Sequence, residues 1–308
     1  MIIKRISKTS GNNMQKPSKN IIGRRYYIDS KVGNGKFGQV YRGMVKKTNE
    51  VIAIKTESID TPIKLLKQET TLLNYMANRC VDVIPSVYWY GIHDNTMALV
   101  MPFYEITLDD YYKETQENNT KKTLQHMSKM VEILEHVHDC GVIHRDIKPS
   151  NFMMQGGDKM VLIDFGLASI YVDESGKHLP EKSSGTHIMG TPKFISVHVH
   201  NGVDASRRDD IISLCYIYFY LANHYILPWD QEQQDGLSYV QDSQASENPL
   251  HIHYPKNVFR KQQKVMHFHE IETGKYPILD KALLKYCYQI KFHEKPHYQW
   301  LLSLFHNS

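Results

Sequence analysis

The stretch His144-Arg145-Asp146-Ile147-Lys148-Pro149-Ser150-Asn151 decides how the rest of the chain is read. Within one short segment it places a carboxylate, an ammonium two residues on and a carboxamide five residues on. An aspartate in that setting suits acceptance of a hydroxyl proton, the lysine neutralises charge on a transferring group, and the asparagine offers an oxygen to Mg²⁺. His144 reads as a structural residue, because Asp146 already fills the role of base.

Downstream, eighteen residues after Asp146, the apolar run Met160-Val161-Leu162-Ile163 ends in Asp164-Phe165-Gly166. A carboxylate at the end of a buried strand is costly to place without a cation, and Mg²⁺ bridging the β- and γ-phosphates of ATP would supply one. Upstream, Ile52-Ala53-Ile54-Lys55 sets a lysine inward on an otherwise apolar strand. A buried ammonium needs a partner. Glu69, on the helix that follows, is the candidate, and the pair would hold the α- and β-phosphates; Glu57, two residues along the same strand, is the competing carboxylate.

Earlier still comes Gly33-Asn34-Gly35-Lys36-Phe37-Gly38-Gln39-Val40. Such glycines open a dinucleotide fold when a helix follows them. Here a strand follows, so they form a flap whose backbone N–H groups can lie close over phosphates.

Alternation of apolar residues predicts strands over Tyr26–Val32, Gln39–Met44, Val51–Thr56, Val87–Ile92 and Met97–Met101, with a helix over Ile63–Ala77. Past a connector at Pro102–Tyr104 the pattern turns helical. Leu124, Met127, Val131, Leu134 and Val137 form the stripe of a helix packed on one side, and Asp210–Leu221 is apolar nearly all round, as suits a helix through the centre of a second lobe. The expected fold is α+β and bilobal, a small antiparallel β-sheet lobe with one main helix plus a larger, mainly helical lobe. The domain reading is an arm over 1–23, a small lobe over 24–101, a hinge over 102–104 and a large lobe over 105–308. Residues 230–248, rich in Gln, Ser, Asp and Glu, read as a long surface loop.

Composition excludes several classes of function. With 308 residues and 41% hydrophobic content the chain buries a sizeable core. No run of eighteen apolar residues and no apolar signal core occur, so a soluble, intracellular protein without membrane insertion is expected. Cys80, Cys140, Cys215 and Cys287 form no CxxC pair and read as free thiols in a reducing compartment. The formal net charge is +4, but residues 1–25 carry seven bases and no acid; of the 37 bases in all, 30 then remain against 33 acids. A near-neutral body argues against nucleic-acid binding, and the basic leader reads as a solvated, flexible arm.

Taken together, the glycine flap, Lys55, the Asp146 segment and Asp164-Phe165-Gly166 are the motif set of eukaryotic-type protein kinases. Reading on, the chain resembles the casein kinase I family. Gly190-Thr191 matches that family's Gly-Thr-Ala-Arg pattern, Ile195-Ser196-Val197-His198 lies close to its Ser-Ile-Asn variant, and Ser206-Arg207-Arg208-Asp209-Asp210 matches without a change. Leu227-Pro228-Trp229 follows the central helix, and Phe292, Lys295, Pro296, Tyr298, Leu301, Leu304 and Phe305 reproduce the closing signature. The likeness spans roughly residues 24 to 306.

The resemblance implies a constitutively active Ser/Thr kinase using ATP and Mg²⁺ and acting on acidic or phosphorylated protein substrates; a monomer, located in the cytoplasm or also in the nucleus, is expected. It implies that Asp146, Lys148 and Lys55 are catalytic and that Asn151 and Asp164 are metal ligands. Nucleotide contacts fall to Val32, Gly33, Asn34, Gly35, Lys36, Phe37, Gly38, Val40, Ala53, Glu69, the gatekeeper Met101 and the hinge residues Pro102, Phe103 and Tyr104. Gly190, Thr191 and Lys193 form a substrate platform, with Thr191 bridging Asp146 and Lys148 and Asp210 anchoring the catalytic loop. A lysine two residues after the aspartate is the Ser/Thr-specific form.

Departures from the family sharpen these expectations. Pro192-Lys193 replaces Ala-Arg, so one positive charge remains without the bidentate fork of arginine. Asp230, Glu232 and Asp235 stand where basic residues are expected, and the chain stops at Ser308, just past the signature, with no regulatory tail expected. The alternative from another class is a pseudokinase scaffold, which would carry a lesion at Lys55, Asp146, Asn151 or Asp164.

Overall fold

The computed structural model describes residues 21–306 apart from 36–37, 81, 118, 157–158, 184, 231–245 and 275–276. Lys36 and Phe37 of the glycine flap, most of the basic arm and most of the 230–248 segment lie outside the described residues. The chain divides into two compact units, one built from Met1–Tyr111 with Ser150–Gly166, the other from Tyr112–Pro149 with Leu167–Ser308.

In chain order the elements are β1 (Ile21–Ile22), β2 (Tyr26–Gly35), β3 (Gly38–Val45), β4 (Val51–Ser58), α1 (Leu65–Met76), β5 (Trp89–His93), β6 (Thr96–Pro102), β7 (Ile106–Thr107) and α2 (Leu108–Thr115). There follow α3 (Thr120–Asp139), β8 (Val142–Ile143), β9 (Phe152–Gln155), β10 (Lys159–Leu162), β11 (Ser169–Ile170) and α4 (Val197–His200). Last come α5 (Arg207–Ala222), α6 (Pro255–Thr273), α7 (Ile278–Gln289) and α8 (Tyr298–His306).

The first unit is built on a six-stranded antiparallel sheet in the order β1-β2-β3-β4-β6-β5. Successive side chains of a strand point to opposite faces, so β4 divides its residues between two environments. Ile52 and Ile54 turn to one face and pack with Ile22, Tyr26, Ala98 and Val100. Each buried isoleucine or valine among them contributes about 1.5–3 kcal/mol. Ala53 and Lys55 turn to the other face, which the pairings Val40↔Lys55, Lys55↔Leu99 and Ala53↔Met101 fill with Val40, Leu99 and Met101. Helix α1 packs against β4 and β6, and three short strands, β10, β9 and β7, complete the unit.

One boundary is corrected. The arm was expected to run to residue 23, but Ile21 and Ile22 pair with Tyr27 and Tyr26, and Ile22 is fully buried. The cause is local: Gly23 has φ +55°, which turns the chain back on the sheet, and a Cβ there would sit 2.9 Å from the Trp89 ring.

The second unit is mainly helical. Every residue of α5 from Arg207 to Leu221 is buried, as expected of a helix apolar all round, and α3 and α7 pack against it. Helix α8 lies along α3, and α6 packs on α4 and α7. All four cysteines are buried thiols outside any disulfide. Among the described residues no helix is long and apolar enough to cross a membrane. The antiparallel sheet of the N-terminal part and the helical C-terminal part give the α+β class expected from the sequence.

Candidate active site

In the first unit, Lys55 Nζ lies 2.6 Å from Glu69 Oε2 on α1 and 2.5 Å from Asp164 Oδ1. Burial by itself would lower the Lys55 pKa, but Asp164 and then Glu69 override it and hold the ammonium above the ordinary lysine range. Burial pushes the Glu69 carboxyl up, with Lys55 opposing. The competition between Glu57 and Glu69 is settled by this geometry. Glu57 Oε1 and Oε2 accept from the backbone N–H groups of Leu65 and Leu66 at 3.1 and 3.4 Å, so Glu57 caps the start of α1, where unpaired amides and the helix dipole favour a negative charge. Both carboxylates are used, and for different purposes.

Asn151 and Asp164 come together through backbone pairing. Strands β9 and β10 pair with Phe152 opposite Leu162, and one step further the Ile163 N–H donates to the Asn151 carbonyl at 2.8 Å. The carboxamide and the carboxylate therefore sit at the same end of one hairpin. Asp164 has φ +70°, a left-handed conformation that costs a non-glycine residue and marks functional positions. A carboxylate and a carboxamide are hard oxygen donors, a donor set that fits Mg²⁺.

The flap glycines pair across their hairpin, Gly33 with Val40 and Gly35 with Gly38. Gly38 can only be glycine, since a Cβ there would stand 1.9 Å from the Thr56 carbonyl oxygen. Val32, Val40, Ala53 and Met101 are buried. Pro102 ends β6, Phe103 takes the Arg42 guanidinium 6.0 Å above its ring, and Tyr104 packs with Met153, Val161 and Ile163.

In the second unit, Asp146, Lys148 and Thr191 close a triangle. Thr191 Oγ1 donates to Asp146 Oδ1 at 2.6 Å, while Lys148 Nζ donates to Asp146 Oδ2 at 2.6 Å and to Thr191 Oγ1 at 3.1 Å. The loop beneath is held from α5: Asp210 accepts from the backbone N–H groups of His144 (2.8 Å) and Arg145 (2.9 Å) and from His138 Nε2 (2.9 Å). Burial favours the neutral acid at Asp210, yet the bonds from His138 and His144 bring its pKa below the ordinary aspartate value. Arg145 has φ +66°. Its carbonyl oxygen would lie 2.5 Å from any Cβ at Gly190, whose own φ is +102°, so Gly190 fits there for two independent reasons. His144 Nδ1 accepts from the Asp146 N–H at 3.3 Å, a bond that shapes the loop.

Lys193 has an acidic partner. Its Nζ lies 3.1 Å from Asp230 Oδ2, and the other oxygen of Asp230 takes Arg260 Nη2 at 2.7 Å. Burial would raise the Asp230 pKa, but Arg260 and Lys193 bring it below the usual carboxylate range. The positive charge of Lys193 is thus already matched by Asp230.

Two members of the site are not evident in the sequence. His138, at the end of α3, bonds Asp210 on one side and the Tyr298 hydroxyl (2.6 Å) on the other, tying the catalytic loop to α8. Tyr298 belongs to the closing signature, which was the one available signal. Lys264 of α6, buried beneath residues 192–195, had no signal at all.

A family model described as the protein kinase domain matches residues 26–295. That span takes in the Lys55 cluster, the Asn151–Asp164 hairpin and the Asp146 triangle, and the chain belongs to the protein kinase domain family.

Proposed function

We propose that the chain is a catalytically active serine/threonine protein kinase of casein kinase I type, moving the γ-phosphoryl group of ATP to hydroxyls of protein substrates. The observation that carries this reading is the Asp146–Lys148–Thr191 triangle, with every edge between 2.6 and 3.1 Å. Asp146 is the acceptor for the substrate hydroxyl proton, and its second oxygen is held by Lys148, whose charge offsets that of the transferring group. Lys55, fixed by Glu69, meets the α- and β-phosphates. Asn151 and Asp164 would hold Mg²⁺, which when bound neutralises and orients the phosphates. The flap between Gly33 and Gly38 lends backbone N–H groups to the same phosphates, and Met101 to Tyr104 receive the adenine.

A scaffold without catalysis would be expected to have lost one of Lys55, Asp146, Asn151 and Asp164, and all four are present. Casein kinase I type is supported by Ser206–Asp210. Ser206 and Asp209 form the capping box of α5, Arg207 Nη1 donates to the Tyr171 hydroxyl at 3.2 Å, Arg208 lies 5.3 Å above the Phe292 ring, and Asp210 holds the catalytic loop. Because these anchors are side chains of the chain itself, we read the enzyme as constitutively active. Selection for acidic substrates at Lys193 is muted, since Asp230 occupies its charge.

Purified protein incubated with γ-labelled ATP, Mg²⁺ and casein, followed by phosphoamino-acid analysis, tests the proposal. Label on serine and threonine is the expected result. Label on tyrosine alone would refute the specificity, and none at all would refute the activity.

A further inference from the structure

Lys264 is an unusual lysine. It is 2% exposed, and among the described residues no carboxylate lies within ion-pair distance of its nitrogen. Its Nζ instead donates to the Pro192 carbonyl at 2.9 Å and the Ile195 carbonyl at 2.7 Å, and lies 3.1 Å from His200 Nε2 of α4. The Tyr216 ring of α5 and the Trp229 ring flank it at 5.1 and 5.6 Å. The charged groups facing it are Arg260, one turn earlier on α6, and Asp230. Burial first and Arg260 second push the Lys264 pKa far down; burial and then Lys264 do the same to His200. The two carbonyls and the His200 ring nitrogen surround Nζ with three polar partners, so this shell satisfies it without any counter-ion.

The two carbonyls bracket residues 192–195, the segment that follows Thr191 directly. Trp229 Nε1 donates to the carbonyl between them, that of Lys193, at 2.8 Å, and the Thr191 carbonyl accepts from the N–H groups of Phe194 and Ile195. Four of the five carbonyls from residue 191 to 195 are therefore hydrogen-bonded, three of them by Lys264 and Trp229. The free end of this arrangement is the Thr191 hydroxyl, 2.6 Å from Asp146.

We infer that Lys264 is a positioning residue for phosphoryl transfer, which sets the height of residues 191–195 and so holds Thr191 against Asp146 and Lys148. The inference rests on the kinase reading and adds to it a part contributed by α6. Lys264 touches no reacting atom; it acts through Pro192 and Ile195.

The test compares wild type, Lys264→Met, which keeps the length and removes the donors, and Lys264→Gln, which restores an N–H₂ group. Steady-state transfer to casein and ATP affinity by fluorescent-nucleotide displacement are measured for each. A misplaced catalytic partner costs about 10²-fold, so Lys264→Met is expected to lose about 10- to 100-fold in casein kcat/KM, with ATP affinity within about twofold of wild type. Lys264→Gln is expected to recover part of the loss. A Lys264→Met protein as active as an active wild type overturns this inference alone. So does a parallel loss of ATP affinity and transfer in both variants, which marks a merely structural role. A wild type inert in the same assay overturns the kinase reading and this inference with it.

Discussion

Lys55 is partly buried and Lys264 fully so, and their environments drive them in opposite directions. Lys55 sits between Glu69 and Asp164, and the two carboxylates hold its pKa above the ordinary value. Lys264 sits among two carbonyls, a histidine and two aromatic rings, and burial, then Arg260, lowers its pKa against a smaller pull from Asp230. Burial alone therefore says little about a lysine's role. A cation flanked by acids on a sheet face remains a cation and can meet phosphate, whereas an amine satisfied by backbone carbonyls becomes a fastening for the chain.

The largest consequence falls on the Lys55 side. In Lys55→Met the carboxylates of Glu69 and Asp164 lose the charge between them. Removing one partner of a buried ion pair costs about 3–5 kcal/mol, and removing a phosphate-directed charge costs about a hundredfold or more in rate. Urea unfolding and transfer to casein are expected to fall together. A variant of normal stability and activity would break the contrast.

Next in size is the dependence of stability on pH. Below the ordinary lysine value of 10.5, and above its own depressed value, Lys264 lacks in the folded state a proton that the unfolded chain holds. Stability contributed there rises with pH, by at most about 1.4 kcal/mol per pH unit. Lys55 has the opposite sign: its contribution is complete below 10.5 and is lost as pH climbs through its raised folded value. Urea unfolding on the alkaline side, below 10.5, is expected to give a flatter rise with pH for Lys264→Met than for wild type, and no such flattening for Lys55→Met. Equal slopes in all three would mean that Lys264 keeps its charge when buried.

The smallest effect sharpens the assignment of the two glutamates. Glu57→Gln removes a charge from the N-terminus of α1 and is expected to cost about 1 kcal/mol in unfolding free energy, with transfer nearly unchanged. Collapse of transfer in this variant would make Glu57, and not Glu69, the working partner of Lys55.

How much of this was readable beforehand follows the cost of each residue. Lys55, Asp146, Asn151 and Asp164 stand out in the sequence because a charge or carboxamide on an apolar strand or in a tight loop needs a partner, and few partners fit. The strands of the sheet were readable from their period of two, and α5 from being apolar nearly all round. Other features depend on neighbours distant in sequence. Residues 150–166 join the first unit because β9 pairs with β7, a contact that no local pattern encodes. Glu57 caps a helix that begins eight residues later, and the strand pattern around it gives no sign of that. His138 and Lys264 lie in ordinary helical sequence, where one more histidine or lysine looks like a solvated surface residue. Lys193 stands out by its own charge, and its pairing with Asp230, 37 residues away, is not legible locally.

The central claim is that Asp146 takes part in transfer and not in nucleotide binding. Single-turnover transfer to casein at saturating ATP and Mg²⁺, measured for wild type and Asp146→Asn, tests it most directly. The account predicts a rate lowered by about 10²- to 10⁴-fold with ATP affinity unchanged within about twofold, and equal single-turnover rates for the two proteins would contradict it.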